Sequence, residues 1–367
     1  MGTRGEWVLI TGFPSLQARR LLYHVLETEP ATGVALVVPL ALRERAEIEL
    51  ARLDERRGRV ELFEGECSAL DLGLAGAELR TLARRVTRIH HLAQESRVGA
   101  DRRTARLTNV QGAVEIVELA RLCDDLACLV HHSTAHVSGD RAGVVLEDEL
   151  DEDQGFHDVV QETRMEAERV MRRAMRDVPI AVVRPTMMVG DSDTGEADHL
   201  DGPYLLAMLL LGLPGDVAVP LPTGSDNPLD IVPVDHVVRA AHHIGLRREA
   251  RGRTFHLASS EGLTAQQVFD AIARAGGRRT TRSILPSQVA AALSRTPAVA
   301  RFLQEPRALV QQLATQARYD TRHADRILAG SGIACPPLES YVGTLVATVQ
   351  ERFKERQHER SPNEPEG

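Results

Sequence analysis

The chain has 367 residues, 43% of them hydrophobic, and a formal net charge of −8. This length and composition supply core material for one large or two modest domains. The negative net charge argues against a nucleic-acid partner, because a phosphate backbone favours a clustered excess of Lys and Arg.

A membrane-spanning segment is not expected. The longest apolar run, LLAMLLLGLP at 205–214, is far shorter than the roughly 20 residues that a spanning helix needs. The first residues, MGTRGEWVLITG, contain a short apolar run without a small-residue cleavage site, so they indicate a buried strand rather than a signal peptide. We therefore expect a cytoplasmic protein.

The first half of the chain alternates short β-branched runs with amphipathic segments. Strands are predicted at 7–12, 33–39, 60–66, 88–94, 128–134 and 180–186, with helices between them, for example over 109–123 and 163–176. This pattern is typical of a parallel sheet covered by helices. The predicted fold class is α/β: a Rossmann-like, doubly wound sheet that binds ligands at the carboxyl ends of its strands.

The character of the sequence changes after about residue 190, where Gly, Pro and Asp separate shorter elements. We predict a dinucleotide-binding domain over 1–190, with parts of 191–258 contributing late strands. A smaller, mixed or helical substrate-side lobe is predicted over 191–358. The last residues, 359–367, are too polar and proline-rich to pack and are predicted to be a disordered tail.

Nine motifs in order resemble the extended short-chain dehydrogenase/reductase family, most closely its acyl-thioester and fatty-acyl reductase-like members, of the NAD-dependent epimerase/dehydratase type. The resemblance covers nearly the whole chain. The motifs are VLITG (8–12), DLGL (71–74), IHHLAQ (89–94), TNVQGAVEIVELA (108–120), HHSTAHVSGD (131–140), FHDVVQETRMEAE (156–168), RPTMMVGDSDTGE (184–196), DGPYLL (201–206) and DIVPVDHVV (230–238).

The resemblance implies hydride delivery from a nicotinamide to a carbonyl, with a tyrosine as proton donor and a lysine four residues later. Residues four apart lie on one helix face and can act at one point. Thr134 matches the Ser/Thr that orients the substrate oxygen. Val160 stands at the tyrosine position and Arg164 at the lysine position. A Tyr-x-x-x-Lys pair occurs nowhere in the chain, because Lys354 is the only lysine.

Valine cannot donate or accept a proton, and losing a general acid typically lowers the rate about 10²–10⁴-fold. Two histidines are possible substitutes. His157 precedes Val160 by three residues and is expected on a similar helix face, while His136 follows Thr134 by two. An imidazole has a suitable pKa for acid/base work.

The cofactor loop also departs from the family pattern TGxxGxxG, since this chain has TGFPSLQA at 11–18. Gly12 is retained, whereas Ser15 and Ala18 replace the second and third glycines. Ala18 is a tolerated variant. Ser15 places a side chain where phosphate oxygens would rest, and Pro14 removes an N–H.

Three further positions bear on the cofactor. Val38 stands where the family has an arginine for the 2′-phosphate, and Arg43 lies only on the following helix. Glu66 matches an adenine-contacting aspartate, and Ala93 matches the segment lining the phosphate crevice. The resemblance thus implies NADP or NAD, with weakened binding or none.

No metal site is predicted. The cysteines form no CxxC pair and are expected to be reduced, buried thiols. The histidine doublets at 90–91 and 131–132 point to opposite faces of their strands, so a doublet cannot chelate one ion from one side.

The chain lacks both the tyrosine/lysine pair and two glycines of the cofactor loop. These two departures favour a degenerate family member that does not reduce carbonyls by the usual route and serves as a ligand-binding or protein-interaction module. A hydrophobic acyl-type ligand is expected, and a protein partner, an active paralogue or a homodimer is possible. The alternative is an NADP-dependent oxidoreductase or epimerase acting on an acyl-thioester, aldehyde or similar carbonyl with other acid/base residues.

Overall fold

The computed structural model describes residues 5–97, 99–198, 203–204, 207–208, 219–220, 226–278, 280–281 and 316–359. Most of the DGPYLL motif and the predicted tail beyond residue 359 lie outside this part of the chain. All further statements on structure refer to the described residues.

The strands follow one another along the chain in short runs, which are β1 (Trp7–Thr11), β2 (Gly33–Val38), β3 (Val60–Glu64), β4 (Val86–His91), β5 (Cys128–His132), β6 (Ala142–Val145), β7 (Ile180–Pro185), β8 (Met187–Val189), β9 (Val219–Pro220), β10 (Ile231–Pro233), β11 (Arg253–Leu257), β12 (Thr280–Thr281) and β13 (Gln316–Tyr319).

The helices separate these strands, and they are α1 (Leu16–Thr28), α2 (Arg43–Leu50), α3 (Gly76–Arg85), α4 (Arg102–Arg106), α5 (Gly112–Leu122), α6 (Val159–Ala174), α7 (Val234–Gly245), α8 (Ala265–Ala275), α9 (Arg322–Leu328) and α10 (Leu338–Glu359).

Seven strands form one sheet in the order β11-β7-β5-β4-β1-β2-β3, and every neighbouring pair in it is parallel. The order reverses direction between β1 and β4, which is the switch point where doubly wound sheets bind ligands. The predicted fold class is confirmed.

The central strands are buried along their length, because helices cover both faces of a parallel sheet. All six residues of β2, GVALVV, are buried. Gly33 begins this strand because a Cβ there would lie 2.5 Å from the Trp7 ring. Continuous apolar runs, rather than alternation, therefore identify these strands in the sequence.

Two compact units make up the chain. The first contains residues 1–186, 234–258 and 317–334, and the second contains 187–233, 259–316 and 335–367. The seven-stranded sheet belongs to the first unit. The second unit has its own core, in which the Tyr341 hydroxyl donates a hydrogen bond to the Ile231 carbonyl at 3.4 Å. No described helix combines the length and the apolar character needed to cross a membrane.

The four cysteines are free thiols. Cys67 and Cys128 are buried, as expected, and burial raises the pKa of each thiol to about 12. Cys123 and Cys335 are only partly buried, so the expectation of burial is wrong for these two.

A buried ion pair joins helix α6 to strand β7. Glu168 is 0% exposed and Arg184 is 1% exposed, and their closest atoms, Oε1 and Nη2, are 2.7 Å apart. A second bond runs from Arg184 Nε to Glu168 Oε2 at 2.9 Å. Burial alone would raise the pKa of Glu168, but Arg184, Arg172 and the Ser133 hydroxyl together lower this pKa to about 2.

The histidine doublets are divided between the two faces of the sheet, as strand geometry requires. On one face, His90 Nδ1 lies 3.1 Å from His132 Nε2. On the other, the His91 and His131 rings stack with centroids 5.6 Å apart, and His91 Nδ1 lies 3.0 Å from the Thr11 hydroxyl. The described residues contain no group of three or more side chains suited to hold a metal.

Replacing Glu168 with Gln should destabilise the protein by about 3–5 kcal/mol, because it leaves the buried Arg184 charge without a counter-charge. Urea unfolding measures this loss. Glu166→Gln on the same helix is the control, since Glu166 pairs with the exposed Arg106 and such a surface pair contributes about 1 kcal/mol or less. Equal losses in the two variants would contradict the assignment.

Stability should fall as the pH drops from about 6.5 towards 4. Burial lowers the pKa of His91 to about 4 and that of His132 to about 3, so the unfolded chain binds more protons than the folded one below pH 6.5. Each such group contributes about 1.4 kcal/mol per unit of pKa difference. Unfolding midpoints measured at several pH values test this, with His91→Gln expected to flatten the profile. A midpoint constant down to pH 4 would disprove it.

Candidate functional site

The turn that follows β5 carries the predicted substrate-orienting residue. Thr134 is 7% exposed and begins a short 3-10 turn, Ala135–Ser138. Its hydroxyl accepts a hydrogen bond from the His136 N–H at 3.3 Å and lies 3.3 Å from the His136 Nδ1. Thr134 and His136 therefore form one hydrogen-bonded unit at the carboxyl end of the strand.

The His136 ring is held in its neutral form. Burial lowers its pKa to about 4, and the charge of Arg164 acts in the same direction, against a smaller opposite effect of Asp158. A neutral imidazole can accept a proton, and it can donate its remaining N–H as a hydrogen bond. It is a poor reservoir of acid protons near neutral pH.

Helix α6 places the two family dyad positions one turn apart, as predicted. Asp158 caps the helix, and its carboxylate accepts from the Gln161 N–H at 2.9 Å. Val160 is 7% exposed, so an aliphatic side chain is packed at the position that the resemblance assigns to the tyrosine. This side chain has no proton to offer.

Arg164, at the position that the resemblance assigns to the lysine, has guanidinium donors that are not used within the described part of the protein. Its Nε is buried and has no hydrogen-bond partner, and no described residue forms a hydrogen bond or an ion pair with its guanidinium. Burial lowers the pKa of Arg164 to about 10, while the charges of Asp158 and Glu95 oppose that change. The group therefore stays cationic near neutral pH, and its donors are available to an anion.

The nearest acidic side chains are already engaged. The Glu95 carboxylate receives a hydrogen bond from Arg97 Nη2 at 2.8 Å, and the Asp158 carboxylate caps α6. Both influence Arg164 only through longer-range attraction. A bound anion would thus complement a charge that the protein itself leaves without a direct partner.

His157 does not lie where the sequence predicted. Helix α6 begins at Val159, after the cap residue Asp158, so His157 precedes the first turn and is exposed. The expectation that it shares a helix face with Val160 is therefore wrong. Of the two histidines considered as substitutes, His136 is the one that contacts Thr134.

Asn109 is a buried site residue that sequence reasoning missed. It lies in a π-helical turn, Leu107–Gln111, a feature that often marks functional sites. Its Oδ1 accepts from the Glu95 N–H at 2.8 Å, and its Nδ2 donates to the Thr163 hydroxyl at 2.9 Å. Asn109 thus ties the segment after β4 to the residue that precedes Arg164. Its sequence signal is its place as the second residue of the TNVQGAVEIVELA motif (108–120).

Tyr319 was also missed. Its hydroxyl lies 3.1 Å from the Ser138 hydroxyl, and its ring centroid lies 5.3 Å from that of His256. It brings a phenol to the far end of the turn that Thr134 begins, yet it comes from the chain beyond residue 315. Its sequence neighbours match none of the nine motifs.

The loop after β1 has a compact backbone, and some of its hydrogen-bonding groups are paired within the loop. Gly12 has a φ of +80°, and a Cβ there would lie 2.7 Å from the Leu92 carbonyl carbon, so only glycine fits. The Ser15 N–H bonds to the Gly12 carbonyl at 3.0 Å. The Ser15 hydroxyl accepts from the Ala18 N–H at 3.4 Å and thereby caps α1 from within the chain. Ala18 is fully buried.

The other positions at which the resemblance implies contacts with the cofactor differ in whether they could make those contacts. Val38 is 0% exposed and presents no donor to a 2′-phosphate. Arg43 pairs with Glu64 at 2.5 Å instead. Glu66 is exposed at the end of β3, and the Ala93 N–H donates to the Thr11 hydroxyl at 3.0 Å.

A contact from α1 to the centre of the sheet is a further feature absent from the sequence prediction. Gln17 Nε2 lies 3.0 Å from His132 Nδ1, and His132 continues to His90. The residue just before Ala18 is thereby fixed to the end of β5. This places the cofactor loop and the Thr134 turn in one hydrogen-bonded frame.

Comparison with solved structures bears out the fold. The terminal R domain from the myxalamid PKS-NRPS biosynthetic pathway superposes with a TM-score of 0.78 at 22% identity, covering 96% of this chain and 92% of that one. The UDP-glucuronic acid 4-epimerase from Bacillus cereus in complex with NAD gives 0.68 at 15% identity, covering 95% and 98%.

Two curated proteins of Drosophila melanogaster are similar in sequence. The fatty acyl-CoA reductase wat is 28% identical over 212 residues, which is 50% of this chain and 40% of that protein. The putative fatty acyl-CoA reductase CG8303 is 21% identical over 300 residues, which is 69% and 55%. The chain thus spans about half the length of these relatives. The NAD-binding family described as male sterility protein matches residues 11–241, more than half of the chain, so this protein belongs to that family, the fatty-acyl reductase-like branch of the extended short-chain dehydrogenases/reductases.

Proposed function

We propose that this chain binds an acyl-type ligand with an anionic group at the carboxyl ends of its sheet strands and does not reduce carbonyls by the family's usual route. The observation that carries this proposal is the pair on α6. Val160 is packed where a proton donor would stand, and Arg164 one turn later is a half-buried cation whose Nε is buried and has no hydrogen-bond partner. Val160 cannot donate the proton that carbonyl reduction requires, whereas Arg164 can still bind an anionic group of a ligand.

The electrostatics of Arg164 favour an anion. Its half-buried charge has no direct counter-charge among the described residues, and a guanidinium matches carboxylate or phosphate oxygens through paired donors. An acyl-thioester of coenzyme A carries both an apolar chain and phosphates. The similarity to fatty acyl-CoA reductases supports a ligand of this kind.

The cofactor is the weaker part of the site. Ser15 caps α1 with its own hydroxyl, and Val38 offers no donor, so the NADP or NAD of the family is expected to bind weakly or not at all. Within this proposal the protein is cytoplasmic and acts as a ligand-binding module, alone, as a homodimer, or beside an active paralogue or another protein partner.

A second candidate function rests on the Thr134–His136 contact. An NADP-dependent oxidoreductase or epimerase acting on an acyl-thioester, aldehyde or similar carbonyl would use the Thr134 hydroxyl to hold the carbonyl oxygen. His136, 3.3 Å away, would exchange the proton through that hydroxyl. Because its pKa is lowered to about 4, very little of it is protonated near neutral pH, which is why binding without reduction is favoured.

Arg164→Met should weaken binding of decanoyl-CoA about 10–100-fold, since it removes charge-assisted hydrogen bonds of about 1.5–3 kcal/mol. Calorimetry on the full chain measures this, with NADPH and NADH as further ligands. The control is Arg173→Met, an exposed arginine on the same helix, which should leave the affinity unchanged. Sub-micromolar NADPH binding together with steady turnover of decanoyl-CoA would disprove the proposal, as would equal binding by both variants.

His136→Ala should abolish any turnover that NADPH supports, by about 10²–10⁴-fold, if the second candidate is correct. His157→Ala should have no effect, because that side chain lies outside α6. Consumption of NADPH with decanal and decanoyl-CoA is the measurement. Turnover that survives His136→Ala would exclude this histidine and direct attention to the Tyr319 hydroxyl.

A further inference from the structure

A cavity in the first unit lies away from the residues described above. It has a volume of about 430 Å³ and is lined by residues of the α7–β11 connection, strand β11 and helix α9: Arg247, Glu249, Arg253, Phe255, His323, Arg326, Ile327 and Ala329. Arg253 is the first residue of β11, so this wall lies at the amino end of the strand. The ligand crevice of a doubly wound sheet lies at the opposite, carboxyl end.

Three arginines line this cavity, and they come from two parts of the chain. Arg247 follows α7, Arg253 opens β11, and Arg326 lies in α9. The sequence contains a basic run here, RREARGR at 247–253, which matches none of the nine motifs. Gly252 has a φ of +74° and turns the chain so that β11 starts at Arg253.

The pairing of these arginines differs from one to the next. Arg247 Nε donates to His243 Nε2 at 3.1 Å. The side chains of Arg253 and Arg326, both exposed, form no hydrogen bond or ion pair with any described residue. Glu249 is the one carboxylate in the lining, so the three arginines and Glu249 leave an excess of two positive charges. Such an excess around a concave surface focuses a positive potential that attracts anions.

Two acidic side chains lie beside the lining residue His323: Glu147 Oε2 is 3.6 Å from its Nδ1, and Asp148 Oδ2 is 3.8 Å from its Nε2. The Glu147 carboxylate accepts from the His256 N–H at 3.0 Å and the Ala324 N–H at 3.1 Å. His323 Nδ1 lies 3.2 Å from the Thr254 carbonyl, which fixes its ring at the cavity wall. The remainder of the wall is apolar, with Phe255 and Ile327.

We propose that this cavity is a second binding site, for a phosphomonoester with an apolar or aromatic portion. The phosphate would lie between Arg253 and Arg326, whose forked donors match its oxygens. The remainder of the ligand would pack on Phe255 and Ile327. The volume falls within the range of about 300–1,000 Å³ typical of small-molecule sites. This site is independent of the acyl ligand proposed for Arg164.

The test is calorimetry of the full chain with phenyl phosphate, and with inorganic phosphate to separate an organic phosphomonoester from the free ion. We expect saturable binding of phenyl phosphate that is at least tenfold weaker in Arg253→Gln/Arg326→Gln. Inorganic phosphate should bind at the same site more weakly. Tighter binding of inorganic phosphate than of phenyl phosphate would contradict the organic ligand.

The matched control is Arg102→Gln/Arg106→Gln, which removes the same charge from two exposed arginines that pair with Glu162 and Glu166. Its affinity for phenyl phosphate should equal that of the unmodified chain. An equal loss of affinity in both double variants would show that net charge alone causes the effect and would overturn the proposal, as would the absence of saturable binding.

If the Gln variant unfolds, Arg253→Lys/Arg326→Lys keeps the charge and should bind phenyl phosphate several-fold more weakly than the unmodified chain. Amide chemical-shift changes must then fall on 247–255 and 322–329.

Discussion

The buried pair of Glu168 and Arg184 fixes the part of the molecule on which the candidate site depends. Glu168 lies one helical turn after Arg164, and its carboxylate also receives a hydrogen bond from the Ser133 hydroxyl at 2.9 Å, next to Thr134. Arg184 carries the same connection into β7. One carboxylate thus holds the helix of the dyad positions, the Thr134 turn and the neighbouring strand. Such a network is stable only when every member is satisfied, which leaves little freedom for the helix to shift or rotate.

The contacts that hold the candidate site do not involve the two dyad positions. They run through Glu168, Ser133 and Asn109. Val160 is 7% exposed, so the fold packs an aliphatic side chain at this position. In the proposed function no proton donor is needed there.

The sheet could be predicted from the sequence because its strands are continuous apolar runs and its helices have amphipathic periodicity. The i,i+4 relation of Val160 and Arg164 followed from local geometry as well. The position of His157 could not be predicted from local geometry, because the helix begins only after Asp158, which acts as its cap. Asn109 and Tyr319 were missed for another reason: their partners, Thr163 and Ser138, lie 54 and 181 residues away in the chain. Pairings over such separations are set by the tertiary fold, and neither motif nor period records them.

The near absence of lysine gives the two proposed anion sites a common physical basis. A lysine ammonium is a compact charge on a flexible stem, whereas a guanidinium is planar, forked and permanently charged. At Arg184 the fork is used within the protein, since Nε and Nη2 each bond the Glu168 carboxylate. At Arg164, and at Arg253 beside Arg326, the same chemical group has no such partner among the described residues. The fold thus shows what this side chain does when a carboxylate faces it. Where none does, a ligand with two or more anionic oxygens is the complement that its geometry selects, and a neutral carbonyl, with one acceptor atom and no charge, is not.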